Sequence, residues 1–179
     1  MTLALLIGGA RSGKSELALR LARDQHSPVA FLATAQPGDL EMAERIEQHR
    51  RDRPASWETI EEPLRLGEAI EEVADESCLV VDCLTLWAAN ALEHLGAADA
   101  EGQALAAAAA GTSRRGLTIV VTNEVGLGLV PDNALGRSYR DLLGRVNAIW
   151  ASAADHVFLV VAGRLLPLAK ADSLSEIVW

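Results

Sequence analysis

An apolar run, Leu3-Ala4-Leu5-Leu6-Ile7, breaks into Gly8-Gly9-Ala10-Arg11-Ser12-Gly13-Lys14-Ser15 and is followed by a helix-compatible stretch to Asp24. The segment Gly8–Ser15 fits the pattern G-x-x-x-x-G-K-S, and it sits in the context that the pattern needs, after a strand and before a helix. Glycine lets such a loop fold tightly, so that successive backbone N–H groups point inward at phosphate oxygens. The following helix adds the positive end of its dipole. Lys14 would reach the β- and γ-phosphates of a nucleoside triphosphate, and the Ser15 hydroxyl would ligate magnesium. A chain that opens in this way requires a parallel strand delivering the loop to a sheet edge, with a helix carrying it back.

The remaining sequence supplies the rest of that sheet. Nearly continuous apolar runs at Leu3–Ile7, Val29–Ala33, Leu79–Val81, Leu117–Val121 and Val157–Val161 predict buried parallel strands. Helical stretches at Ser15–Asp24, Asp39–Arg53, Leu64–Asp75, Leu84–Leu95 and Leu135–Ala153 lie between them, and Trp57–Glu61 offers one more short strand. Strands alternating with helices predict an α/β P-loop NTPase fold, a mostly parallel sheet with helices on both faces, of the RecA-like kind. No Pro-, Gly- or Ser-rich linker divides the 179 residues, so one nucleotide-binding domain over 1–179 is expected. The alanine-rich segment Ala97–Ala110 reads as a solvent-facing helix of high propensity, with no chemistry assigned to it.

The formal net charge is −9. A chain this acidic repels nucleic acid and anionic membranes, so neither is an expected partner. No apolar run approaches the roughly 20 residues that span a bilayer. The apolar start lacks the basic flank of a secretory signal. The two cysteines, Cys78 and Cys83, are too close to form a disulfide framework. A cytoplasmic protein is expected.

Three further places carry candidate chemistry. Leu79-Val80-Val81-Asp82 is an apolar strand ending in a carboxylate. At the C-terminal edge of a parallel sheet, Asp82 would project into the ligand crevice and help hold magnesium; the alternative is an N-cap for the helix at Leu84. After Leu117–Val121, Glu124 is either a base or a partner to the metal's own ligands, or it and Asn123 simply order the turn. In the helix Met42–Arg53, Arg45, His49 and Arg53 share a face at i, i+4 and i+8. That face is either a solvated surface laced with Glu41, Glu44 and Glu47, or a site in which arginines bind a triphosphate and keep the imidazole neutral, since like charges disfavour the cation. A neutral imidazole over phosphorus can act as a nucleophile.

Taken in order, GGARSGKS at Gly8–Ser15, LATA at Leu32–Ala35, R-I-x-x-H-R-x-x-R-P-x-x-W-x-T-x-E from Arg45 to Glu61, VVDCLTLW at Val80–Trp87, VTNEVGLGLVP at Val121–Pro131 and R-x-Y-R-D-x-x-G-R-V-N from Arg137 to Asn147 cover most of the chain. This set resembles the bifunctional adenosylcobinamide kinase and adenosylcobinamide-phosphate guanylyltransferase family of cobalamin biosynthesis. The resemblance implies two reactions. A nucleoside triphosphate, ATP or GTP, first phosphorylates adenosylcobinamide. GTP then loads GMP onto a histidine, here His49, which passes it to adenosylcobinamide phosphate to give adenosylcobinamide-GDP. It further implies Lys14 as a catalytic group, and nucleotide binding by Gly8, Gly9, Ala10, Arg11, Ser12, Gly13, Lys14, Ser15, Ala33, Thr34, Ala35, Arg50, Arg51, Asp52, Arg53, Glu61 (or its neighbour Glu62) and Asp82, with magnesium on Ser15 and Asp82. A corrinoid small-molecule substrate and a homotrimer are implied as well. The stretch Gly163–Lys170 matches the family's strand-and-loop ending only loosely, and the sequence places no part of the chemistry there. A simpler kinase with an idle His49, or a nucleotide-responsive regulatory module, are the competing expectations.

Overall fold

The structure, a computed structural model, describes residues 2–170. Met1 and residues 171–179, the ends of the expected single-domain span, lie outside the described residues. All strands join one seven-stranded sheet in the order β3-β2-β4-β5-β1-β6-β7. The strands are β1 (Thr2–Gly8), β2 (Val29–Ala33), β3 (Glu58–Glu61), β4 (Cys78–Asp82), β5 (Leu117–Asn123), β6 (His156–Val161) and β7 (Arg164–Pro167). Every pairing is parallel except β6 with β7, which form an antiparallel hairpin at one edge. The helices are α1 (Lys14–Arg23), α2 (Leu40–Arg51), α3 (Leu66–Glu72), α4 (Leu84–His94), α5 (Ala97–Ser113) and α6 (Ala134–Ala153).

The strand pleat sorts the apolar runs into two cores. Leu3 and Leu5 of β1, Leu79 and Val81 of β4 and Val120 of β5 face a large cluster closed by α3, α4, α5 and α6. Leu6, Val80, Ile119 and Val121 face the other way, onto Leu17, Ala18, Leu19 and Ala22 of α1. Both faces of β1, β4 and β5 are therefore dry, which is why their sequences run apolar without alternation. Helices cover both faces of the mostly parallel sheet, as expected.

Two expectations are corrected. The alanine-rich segment is not a solvent-facing helix: α5 buries Ala100, Ala104, Ala107, Ala108 and Ala110 against the core. Its small side chains let it pack closely between α3 and α6. A Cβ on Gly111 would stand 3.0 Å from Leu3 Cδ1 and 3.2 Å from Trp150 Cζ3. A Gly111→Leu variant is expected to lose about 1–3 kcal/mol by overpacking, visible as a lower urea midpoint with an unchanged slope. An unshifted midpoint would mean that α5 is free to move away. Helix α3, expected over Leu64–Asp75, is shorter at both ends. At its start, the Glu62 carboxylate accepts the Leu64 and Arg65 N–H groups at 2.9 Å each. At its end, the buried Arg114 guanidinium donates to the carbonyls of Ile70, Val73, Ala74 and Ser77.

Candidate functional site: a phosphate cradle with a histidine above it

The C-terminal ends of β1, β4, β2 and β5 meet at one edge of the sheet, where the loop Gly8–Ser15 leaves β1. Gly13 has φ +96°, and only glycine adopts that at no cost, so the motif's second glycine is set by backbone geometry. Gly8 is set by space, because a Cβ there would come within 2.3 Å of the Val160 carbonyl oxygen. Gly13 is the N-cap of α1, and no side chain among the described residues caps that helix. The first-turn N–H groups of α1 are thus left for an anion.

Lys14 is 6% exposed. Its Nζ donates to the Gly9 carbonyl at 2.6 Å and to Ser12 Oγ at 3.2 Å, folded back over the cradle. Burial holds its pKa below the usual lysine value, opposed by the nearby Cys83 and Asp82. Arg45 adds a like charge acting on it in the same direction as burial.

Asp82 ends β4 and points into the crevice. It does not cap α4, whose N-cap is Cys83 without a side-chain bond. Its carboxylate accepts the Ser15 hydroxyl instead. Burial pushes the Asp82 carboxyl above its ordinary value, and Ser15, His49, Lys14 and Arg45 pull it back only in part. A carboxyl raised in this way contributes stability while protonated, below its unfolded value, and loses it as pH rises through the folded value. An ionised Asp82 at neutral pH is therefore a local cost to the fold. Asp82→Asn keeps an acceptor for Ser15 without the charge. It is expected to melt above the wild type at neutral pH in the absence of nucleotide, the gap closing towards the usual carboxylate range, and to lose transfer activity. Calorimetry across pH checks this; a variant that melts lower at neutral pH would overturn it.

Ser15 and Asp82 fit magnesium by donor chemistry, being hard oxygen groups already in contact. Among the described residues no cluster of three or more His, Cys, Asp or Glu side chains forms a metal cage.

Helix α2 brings the histidine to this edge. Asp39 caps it through Met42 N–H at 2.7 Å. The helix buries none of its residues, so polar ties fix its position. His49 Nδ1 lies 3.9 Å from Asp82 Oδ2, with 37% of the imidazole side chain exposed. The imidazole thus stands beside a carboxylate. Arg53 is tied to β2 and β3 while its charge still acts on Asp82. Its guanidinium stacks 4.2 Å over the Phe31 ring, with Nε donating to the His49 carbonyl and Nη1 to Thr59 Oγ1. Arg50 pairs with Glu61 at the end of β3, and Arg51 with Glu47. The Asp52 carbonyl accepts Arg23 from α1 and its carboxylate accepts Gln48. The structure thus gathers Lys14, Ser15, Asp82, His49 and Arg45 at one place. Arg51 and Asp52 make their contacts with α2 and α1.

Thr34, between Ala33 and Ala35, is fully buried. Its hydroxyl donates to the Cys83 carbonyl at 2.7 Å and accepts the Cys83 N–H at 3.0 Å, fastening the end of β2 to the end of β4. Asn90 of α4 donates to the Thr34 carbonyl at 2.9 Å, a support that no sequence signal marked. Thr85 Oγ1 accepts the Asn123 N–H, and Tyr139 donates to the Thr85 carbonyl. The Glu124 side chain accepts its own loop's Gly126 N–H, a turn-forming contact, while the Glu124 N–H donates to the Gly8 carbonyl at 3.0 Å. The expectation that Gly163–Lys170 stays away from the chemistry is corrected too: the Gly163 N–H donates to the Ser12 carbonyl at 2.8 Å.

Comparison with known proteins accords with this geometry. Residues 4–168 match the profile of the cobinamide kinase / cobinamide phosphate guanyltransferase family. The bifunctional adenosylcobalamin biosynthesis protein CobP of Pseudomonas aeruginosa is 45% identical over 167 residues, 92% of this chain and 95% of the relative. The bifunctional adenosylcobalamin biosynthesis protein CobU of Escherichia coli K12 is 41% identical over 175 residues, 89% of this chain and 95% of the relative. The protein of the same name from Salmonella typhimurium matches at the same identity and coverage. Among solved structures, an ATPase from the type III secretion system of pathogenic bacteria superposes with a TM-score of 0.56 at 10% identity. That match covers 98% of this chain and 54% of the other, a likeness of fold. The chain is an enzyme of the cobinamide kinase / cobinamide phosphate guanyltransferase family.

Proposed function

We propose that this single P-loop domain phosphorylates adenosylcobinamide from a nucleoside triphosphate and then transfers GMP from GTP, through His49, to adenosylcobinamide phosphate. The observation that carries the reading is the placement of His49 beside Asp82, whose carboxylate accepts the hydroxyl of Ser15 in the first turn of the uncapped α1. One triphosphate bound there would present its terminal phosphorus to a hydroxyl and its α-phosphorus to an imidazole.

In the first reaction the substrate hydroxyl attacks the γ-phosphorus and the nucleoside diphosphate leaves. The chain's part is alignment and charge neutralisation by the loop N–H groups and Lys14. Magnesium, held by Ser15 and Asp82 together with the phosphates, would supply further neutralisation. In the second reaction an imidazole nitrogen attacks the α-phosphorus of GTP, a P–N bond forms, and the bond to pyrophosphate breaks. Asp82 stands on the Nδ1 side of the ring, which favours Nε2 as the attacking nitrogen. A phosphate oxygen of the corrinoid substrate then displaces the imidazole, forming the diphosphate and freeing His49. Arg45 and Arg50 lie on the same helix as His49 and are available to the triphosphate or the released pyrophosphate; Arg50 would exchange Glu61 for phosphate.

The enzyme is proposed to be cytoplasmic and to assemble as a homotrimer. No described helix is long and apolar enough to cross a membrane. The edge hairpin exposes Val161, Leu165, Leu166 and Leu168, apolar surface that neighbouring copies would cover.

Incubation with magnesium and GTP labelled at the α-phosphorus tests the histidine step. The expected result is an acid-labile, base-stable label on the denatured protein, discharged by adenosylcobinamide phosphate. An unlabelled protein that still phosphorylates adenosylcobinamide would reduce the reading to a kinase.

A further inference from the structure

The hairpin β6–β7 turns through two residues, Ala162 and Gly163, with φ of +49° and +74°. Both signs positive is the mark of the tight hairpin turn whose twist matches its strands. The tip of this turn rests on the phosphate loop. The Gly163 N–H donates to the Ser12 carbonyl at 2.8 Å. A Cβ built on Gly13 would lie 3.3 Å from Gly163 Cα, so the two backbones are in contact. Further down the same hairpin, Val160 pairs with Gly8 at the loop's other end.

This contact has a directional consequence. A trans peptide holds its C=O and the next residue's N–H antiparallel. With the Ser12 oxygen drawn outward to Gly163, the Gly13 N–H points the opposite way, into the cradle. That N–H stands at the uncapped start of α1, where donors serve phosphate. The same Ser12 holds Lys14 Nζ through its hydroxyl. We infer that Gly163, although outside the phosphate loop and remote from it in sequence, is a positioning residue for triphosphate binding: its N–H fixes the Ser12–Gly13 peptide so that the Gly13 donor faces the nucleotide. The inference rests on the cradle being the triphosphate site.

The position admits a selective test, because Gly163 opens onto free space and a Cβ there meets nothing within 4 Å. Asparagine tolerates positive φ and keeps the N–H, so Gly163→Asn should bind GTP nearly as the wild type does. Glycolic acid incorporated at 163 replaces the amide by an ester and removes the donor alone. That variant is expected to bind GTP roughly tenfold more weakly or worse, with KM for the triphosphate rising more than kcat falls and only a small drop in melting temperature. Gly163→Pro, which lacks the donor and cannot take φ +74°, should lose binding at least as far and also melt lower. An ester variant that folds and binds GTP as tightly as the wild type would overturn the inference, and so would an asparagine variant as weak as the ester. If the ester variant does not fold, hydrogen exchange on the unmodified protein decides. The Gly163 amide is expected to be protected both without and with GTP, and a freely exchanging amide would sink the idea. A wild type that fails to bind GTP would instead refute the cradle reading on which the inference stands.

Discussion

Lys14→Ala is expected to abolish kinase and GMP-transfer turnover together, each falling by a factor on the order of 10²–10³ or more. The contacts of Lys14 show why. Lys14 Nζ is desolvated and satisfied by two neutral oxygens, from Gly9 and Ser12, neither of which balances its charge. A triphosphate would replace those contacts with anionic oxygens, so the ammonium group binds far better when a nucleotide is present. Binding energy that appears only with the charged ligand, and rises as charge develops in the transition state, lowers the barrier to both reactions. The variant should not unfold. Burial already costs the lysine its charge stability, as its lowered pKa records, and alanine removes that cost. Turnover of both reactions, measured beside a thermal melt, makes the separation. Retained activity in either reaction would mean that the cradle is not shared.

The parts of this site that were legible in the sequence are those where one residue type answers one local demand. Gly13 must take positive φ, and the loop that needs it follows a strand run that is apolar without alternation. Asp82 could be read as a strand-end carboxylate, but its two possible roles could not be separated by pattern. The choice depended on whether Ser15, far away in sequence, came within reach. The same limit applies to α2. The spacing of Arg45, His49 and Arg53 placed them on one helix face, yet α2 ends at Arg51, and Arg53 beyond it is spent on the Phe31 ring and the His49 carbonyl, partners that no spacing rule names. Helix α5 was misread for a different reason. Alanine has high helix propensity and little hydrophobic contrast, so a buried helix that packs closely through small side chains looks the same in sequence as an exposed one. The Gly163 contact was invisible, since a backbone donor meeting a backbone carbonyl leaves no trace in side-chain pattern.

His49→Ala is expected to separate the two reactions. GMP transfer should fall by roughly 10⁴-fold or more, the scale of removing a covalent nucleophile, while phosphorylation of adenosylcobinamide stays within a few-fold of the wild type. The asymmetry follows from position. His49 sits above the cradle on a helix that buries none of its residues and keeps more than a third of its side chain in solvent. Its loss therefore removes no core contact, and the melting temperature should not move. Lys14, Ser15 and the loop N–H groups, which serve γ-phosphoryl transfer, are left in place. The α-phosphoryl step has no other nucleophile of comparable placement among the described residues at this edge. Cys83 is the nearest thiol in the chain, but burial pushes its pKa to about 11, which leaves almost no thiolate at neutral pH. Two assays on the one variant, hydroxyl phosphorylation and GMP transfer from α-labelled GTP, make the comparison. Equal loss of both would place His49 in nucleotide binding rather than in covalent transfer. Loss of neither would return α2 to a solvated surface whose arginines serve only to hold it against β3.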